Sequence, residues 1–165
     1  MRVLPSIEAG ELLPPSARKV LIACGNTLRG DDAIGPLIAE AVERGAAFAD
    51  VDVIVVPQLT AELAADLRGA RTVVFVDAAV GTPPGEVAML VVEPSLEPPQ
   101  AFSHQLSPAA LLALTAEIYQ LLPGHAFTVT VGAASFALGD SVSEPIRAAL
   151  PEALTLLRDI FGQAQ

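Results

Sequence analysis

By type and spacing, three sets of side chains in this sequence can do chemistry. They are the adjacent carboxylates Asp31-Asp32, an aspartate that closes an apolar run, Asp77, and a histidine just ahead of a helix start, His104. Two carboxylates and an imidazole on three different loops suit a first-row divalent metal, with positions left open for another ligand, provided folding brings them to one rim. Each residue also has a plainer explanation. Asp is a preferred helix N-cap, so capping accounts for one member of the pair. Asp77 introduces a Gly/Pro-rich turn, Gly81-Thr82-Pro83-Pro84-Gly85, and a lone histidine is more often structural than functional. His125, in a turn beside Pro123-Gly124, has only that plainer reading. Cys24 ends an apolar run where a thiol is buried and inert, and no G-x-S-x-G-like elbow surrounds it; both points disfavour a cysteine hydrolase built on Cys24 and His104.

Whether these groups meet depends on the elements that carry them. Val20–Cys24 is apolar without polar alternation, as in a strand covered on both faces. Gly25-Asn26 breaks it, and Ile34, Leu37, Ile38, Ala41 and Val42 then recur at helical spacing to near Arg44-Gly45. The carboxylate pair thus falls where a first strand hands over to a first helix. Val51–Val56 reads as a second strand, followed by a short helix capped by Thr60, with Leu63, Ala64 and Leu67 inward. Thr72–Val76 is the third strand and ends on Asp77. The order βαβαβ implies right-handed crossovers and a parallel sheet, which puts Asp32 and Asp77 at the edge where open α/β sheets bind ligands.

Glu86–Val92 follows a tight turn and reads as a fourth strand, antiparallel at an edge. Ser107-Pro108 opens a helix by the N-cap and N1 rules, and Phe127–Val131 is the fifth strand. Ser143 is expected to cap a final helix running to about Phe161, kinked or divided at Pro151. The expected fold is a single three-layer α/β domain, residues 20–165, with a twisted, mainly parallel five-stranded sheet and helices on both faces. Residues 1–19, with three prolines and scattered charge, read as an N-terminal arm.

With 9 Lys and Arg against 19 Asp and Glu, the formal net charge of −10 disfavours nucleic acid and anionic membranes as partners. One cysteine excludes an intrachain disulfide. No apolar run approaches a membrane span and no h-region follows the N-terminus, so a cytoplasmic protein is expected. The strand-to-helix loop lacks the G-x-G-x-x-G and G-K-[ST] patterns, and its carboxylates repel phosphate, which argues against a nucleotide.

Four stretches in sequence, GNTLRGDDAIGP, QLTAELA, VVFVDA and SHQLSPAALL, resemble the hydrogenase maturation proteases. These endopeptidases trim the C-terminal extension of [NiFe]-hydrogenase large subunits. The resemblance covers Val20 to the final helix. It implies that the family's three metal-contacting positions fall on Asp32, where some members carry Glu, on Asp77 and on His104. It further implies that the metal is nickel contributed by the large-subunit precursor, recognised after insertion, with the cut placed after the precursor's last metal-binding motif. Asp31 would then support the loop by hydrogen bonding, and Asn26 would position the turn. An alternative that uses the same three residues is a nickel-binding accessory protein that holds the precursor without cutting it.

Overall fold

The computed structural model describes residues 17–95 and 106–163. Five strands form one sheet in the order β2-β1-β3-β5-β4. They are β1 (Lys19–Cys24), β2 (Val51–Val56), β3 (Thr72–Ala79), β4 (Val87–Val91) and β5 (His125–Gly132). All neighbours run parallel except β4 and β5, and β4, the single antiparallel strand, sits at an edge as expected. The connection from β3 to β4 leaves one place in the sheet, which β5 later fills.

Helices cover both faces. On one, α1 (Ile34–Arg44) and α4 (Glu144–Gln163) bury Ile34, Ile38, Val42, Ile146 and Leu157 against Leu21, Val74, Val76, Val129 and Val131 of the sheet. On the other, α2 (Ala64–Leu67), the turn that leads into it and α3 (Pro108–Tyr119) bury Leu63, Leu67, Leu111 and Leu112 against Val20, Ile22, Val73 and Phe75. Alternate residues of β1 and β3 therefore serve two cores, which is why these strands read as unbroken apolar runs. The three-layer α/β architecture is the one its pattern implies. No helix among the described residues is long and apolar enough to cross a membrane.

Several local expectations are corrected. Thr60 makes no side-chain cap; a 3₁₀ turn over Ala61–Leu63 leads into α2 instead, while Leu63, Ala64 and Leu67 are buried as their spacing requires. α4 continues through Pro151 undivided. The proline and Arg147, whose carbonyl it leaves without a helical partner, are both exposed, while Ile146, Ala149, Ala153 and Leu157 hold the buried side. Ser143 precedes α4 as expected, but its hydroxyl is given to Asp31 rather than to the helix.

Candidate active site

The site is built where the sheet order reverses. From β1 the chain goes outward to β2 over one face, then returns to β3 on the other side of β1 over the opposite face. The carboxyl ends of β1 and β3 therefore diverge into a crevice, the usual ligand position in such sheets. A cleft of about 390 Å³ opens there, with Cys24, Asp32, Asp77, Thr128 and Thr130 among its lining residues. Register explains the set. Cys24 continues the face of Val20 and Ile22, Asp77 that of Val73 and Phe75, and Thr130 pairs directly with Asp77. All point to the α2/α3 side.

Two glycines seat Asp32. Gly25 adopts φ 145°, a region open to glycine, and a Cβ there would collide with the carbonyl oxygen of Asp32. A Cβ on Gly35 would strike the carbonyl oxygen of Cys24. The start of α1 thus lies directly against the end of β1, and the 3₁₀ turn Gly30–Ala33 presents Asp32 at the mouth of the cleft. One oxygen of Asp32 accepts the backbone N–H of Asn26 at 2.9 Å. The Asn26 side-chain oxygen accepts the N–H of Leu28 at 2.9 Å and closes the turn.

Asp77 differs from its expected placement, because β3 extends three residues past Val76 and holds Asp77 inside the strand. The extra length comes from β5, which pairs with β3 as far as Ala79 and Gly132. One Asp77 oxygen accepts the N–H of Ala78 at 2.8 Å. The residue is open to the cleft on one side and crowded by protein on the others. Burial raises its pKa to about 6 against the lowering by the Ala78 bond, and the charge of Asp32 adds to the rise. Among the described residues, the second oxygen of each carboxylate has no hydrogen-bond partner.

Asp31 plays a different part from its neighbour and caps no helix. Fully covered but just beneath the surface, it accepts the N–H groups of Ala134 (2.7 Å), Ser135 (3.2 Å) and Ser143 (2.7 Å) and the Ser143 hydroxyl (2.8 Å). Burial by itself raises its pKa. The four bonds outweigh that, Ser143 N–H foremost, and hold it below the ordinary carboxylate value. Asp31 N–H also donates to Ser135 O at 2.9 Å. The loop after β5 is thereby fastened to the loop that carries Asp32.

His104 lies outside the described residues. Leu106, Ser107 and Pro108, which line the cleft, follow it closely in sequence, and Ser107 caps α3 by accepting the N–H of Ala110 at 3.1 Å. The other histidine, His125, opens β5 at the far end of the sheet and stacks on Phe127 with ring centroids 6.4 Å apart. Among the described residues, no group of three His, Cys, Asp or Glu can hold a metal ion. Thr128, Thr130 and Gln58 on the cleft were not singled out from the sequence. The signal for the threonines was their alternation with Phe127, Val129 and Val131.

Cys24 also lines the cleft, but burial, followed by the charges of Asp77 and Asp32, pushes its thiol pKa up to about 12. It stays a neutral thiol at physiological pH, a poor nucleophile. Cys24→Ala is accordingly expected to fold with a loss of only about 1 kcal/mol and to leave any hydrolysis at this site unchanged. Loss of activity in a variant that still melts cooperatively would restore the thiol as a nucleophile.

No family model and no curated protein matches the chain in sequence. Solved structures do match in fold. HycI, a [NiFe] hydrogenase maturation protease from Thermococcus kodakarensis, is 25% identical with a TM-score of 0.69, covering 88% of this chain and 93% of that one. The hydrogenase maturating endopeptidase HybD from E. coli is 24% identical with a TM-score of 0.67, over 85% of this chain and 89% of that one. A hydrogenase 2 maturation peptidase from a Thaumarchaeota archaeon is 24% identical with a TM-score of 0.66, over 88% and 98%. The chain has the fold of the hydrogenase maturation proteases, the family that its four motifs resemble.

Proposed function

We propose that this protein is an endopeptidase that removes the C-terminal extension of a [NiFe]-hydrogenase large-subunit precursor, and that it recognises nickel already held by that precursor. The observation that carries the reading is the meeting of Asp32 and Asp77 in one cleft at the β1/β3 crevice, each with an oxygen not committed to the described residues. Two carboxylates alone make an incomplete site. His104 is proposed as the third contact, since it precedes Leu106 of the cleft wall by two residues, a span of at most about 7 Å. Nickel enters with the substrate in this account, so a protein holding only two or three ligands suits a metal whose other ligands come from the precursor.

The residues of the chain do the positioning. Asp32 and Asp77 hold the precursor's metal site against the crevice, and Thr130 and Gln58 offer hydrogen bonds to the peptide beside it. Fixing the scissile bond next to a polarised water supplies the orientation on which hydrolysis depends. The same geometry fits a protein that grips the precursor without cutting. Mixing purified protein with nickel-loaded precursor separates the two: a shortened large subunit supports the endopeptidase, and a stable complex of full-length precursor supports the accessory role.

A further inference from the structure

We infer that the outer edge of β4 receives an extended stretch of the precursor's C-terminal extension, added to the sheet as a sixth strand. The partner's identity rests on the endopeptidase reading; the site rests on the geometry of β4.

Val92 N–H donates to Ala126 O at 2.9 Å, and Gly132 N–H donates to Glu86 O at 2.9 Å. Between these bonds lie the pairs Ala88–Thr130 and Leu90–Thr128. Even-numbered residues of β4 therefore bond to β5, and Val87, Met89 and Val91 turn their N–H and C=O groups outward. Sheet edges are ordinarily guarded by charge, proline or a covering element. The opposite edge strand, β2, has such a guard in Asp52, which lies 3.6 Å from Arg18. Within β4 there is neither charge nor proline: it reads Val-Ala-Met-Leu-Val, and among the described residues Met89 is 42%, Leu90 69% and Val91 65% exposed. An open apolar edge is a template for another strand.

Charge decides against a second copy as the occupant. Antiparallel pairing of two β4 strands about Met89 would set Glu86 of each beside Val92-Glu93 of the other, between chains of net charge −10. A neutral or basic apolar peptide meets no such repulsion. Distance favours the extension. The edge beyond β4 lies three strand spacings from Asp77 on β3, about 14 Å, which four or five extended residues span. The chain before the cut is tied to the precursor's nickel site, so the extension is the side free to pair. The stretch that pairs with β4 begins about four residues past the cut.

Met89→Pro tests this, because it removes an outward N–H while leaving the bonds to β5 intact. It is expected to raise KM for nickel-loaded precursor about tenfold, as for one lost hydrogen bond, with kcat unchanged. Met89→Thr, which keeps the N–H, should retain the wild-type KM. Should Met89→Pro fail to fold, amide exchange on the wild-type protein decides. A synthetic peptide of the extension should slow exchange at Val87, Met89 and Val91 and leave Ala88 and Leu90 as they were. A folded Met89→Pro with wild-type KM, or no protection of the odd residues, overturns the inference. Protection that rises with protein concentration without peptide, together with a doubled mass, assigns the edge to a second copy and overturns it too. Absence of any cleavage by the wild-type protein counts instead against the endopeptidase reading, and the exchange result still decides the edge.

Discussion

Asp77→Asn is expected to slow precursor processing by at least about 100-fold, since losing a metal contact should exceed the 10- to 100-fold typical of losing a residue that merely supports one. The substitution keeps the shape of the side chain and its bond from Ala78 N–H, so the fold is preserved. It should also stabilise the free protein at neutral pH. The folded-state pKa of Asp77 is raised to about 6, so burial and the nearby Asp32 disfavour the charged form that prevails at pH 7. An acid with a raised native pKa opposes folding at high pH, and the opposition fades as pH falls through about 6 toward the unfolded value. The melting temperature of Asp77→Asn should therefore exceed that of the wild type at pH 7 and converge with it near the unfolded carboxylate pKa. Asp32→Asn should cripple processing similarly. Processing at the wild-type rate by folded Asp77→Asn would remove that carboxylate from the site.

Asp31→Asn should show the reverse pattern, with a large effect on stability and a milder one on processing. Its amide can still accept three of the four loop bonds, but its NH2 group must then face a donor, either Ser143 N–H or the Ala134, Ser135 and Ser143 cluster. Loss of charge assistance and one donor set against another should cost about 2–4 kcal/mol in denaturant unfolding at pH 7. The pH dependence has the opposite sign to that of Asp77. The native pKa of Asp31 is lowered, so its contribution is complete above the unfolded carboxylate pKa and is lost as pH falls through the native value. The gap between wild type and Asp31→Asn should close in acid. Adjacent aspartates thus divide the work: Asp31 fastens the loop, and Asp32 faces the cleft.

Much of this was legible in the sequence because it is periodic. Val20–Cys24 and Thr72–Val76 announce buried parallel strands by their lack of alternation, and the βαβαβ order follows from the helical spacing between them. What the pattern concealed is tertiary. β3 runs on through Asp77 because β5, far away in sequence, supplies hydrogen bonds as far as Gly132. Pro151 stays within α4 on its exposed side, a fact of burial that composition does not carry. Asp31 was expected to support its loop by hydrogen bonding, but not with which partners, because Ala134, Ser135 and Ser143 lie more than 100 residues away. Thr128 and Thr130 could have been placed on the cleft by strand parity once β5 was known to lie beside β3. That adjacency is a property of sheet order and not of any local window.

The central claim, that this cleft cuts a precursor by way of nickel the precursor already holds, is tested most directly by intact mass. The wild-type protein would be incubated in parallel with nickel-loaded and nickel-free large-subunit precursor, and the mass of the large subunit followed with time. The nickel-loaded precursor is expected to lose its C-terminal extension, and the nickel-free one to keep its mass unchanged. Equal cleavage of both, or cleavage of neither with the loaded precursor intact, would contradict it.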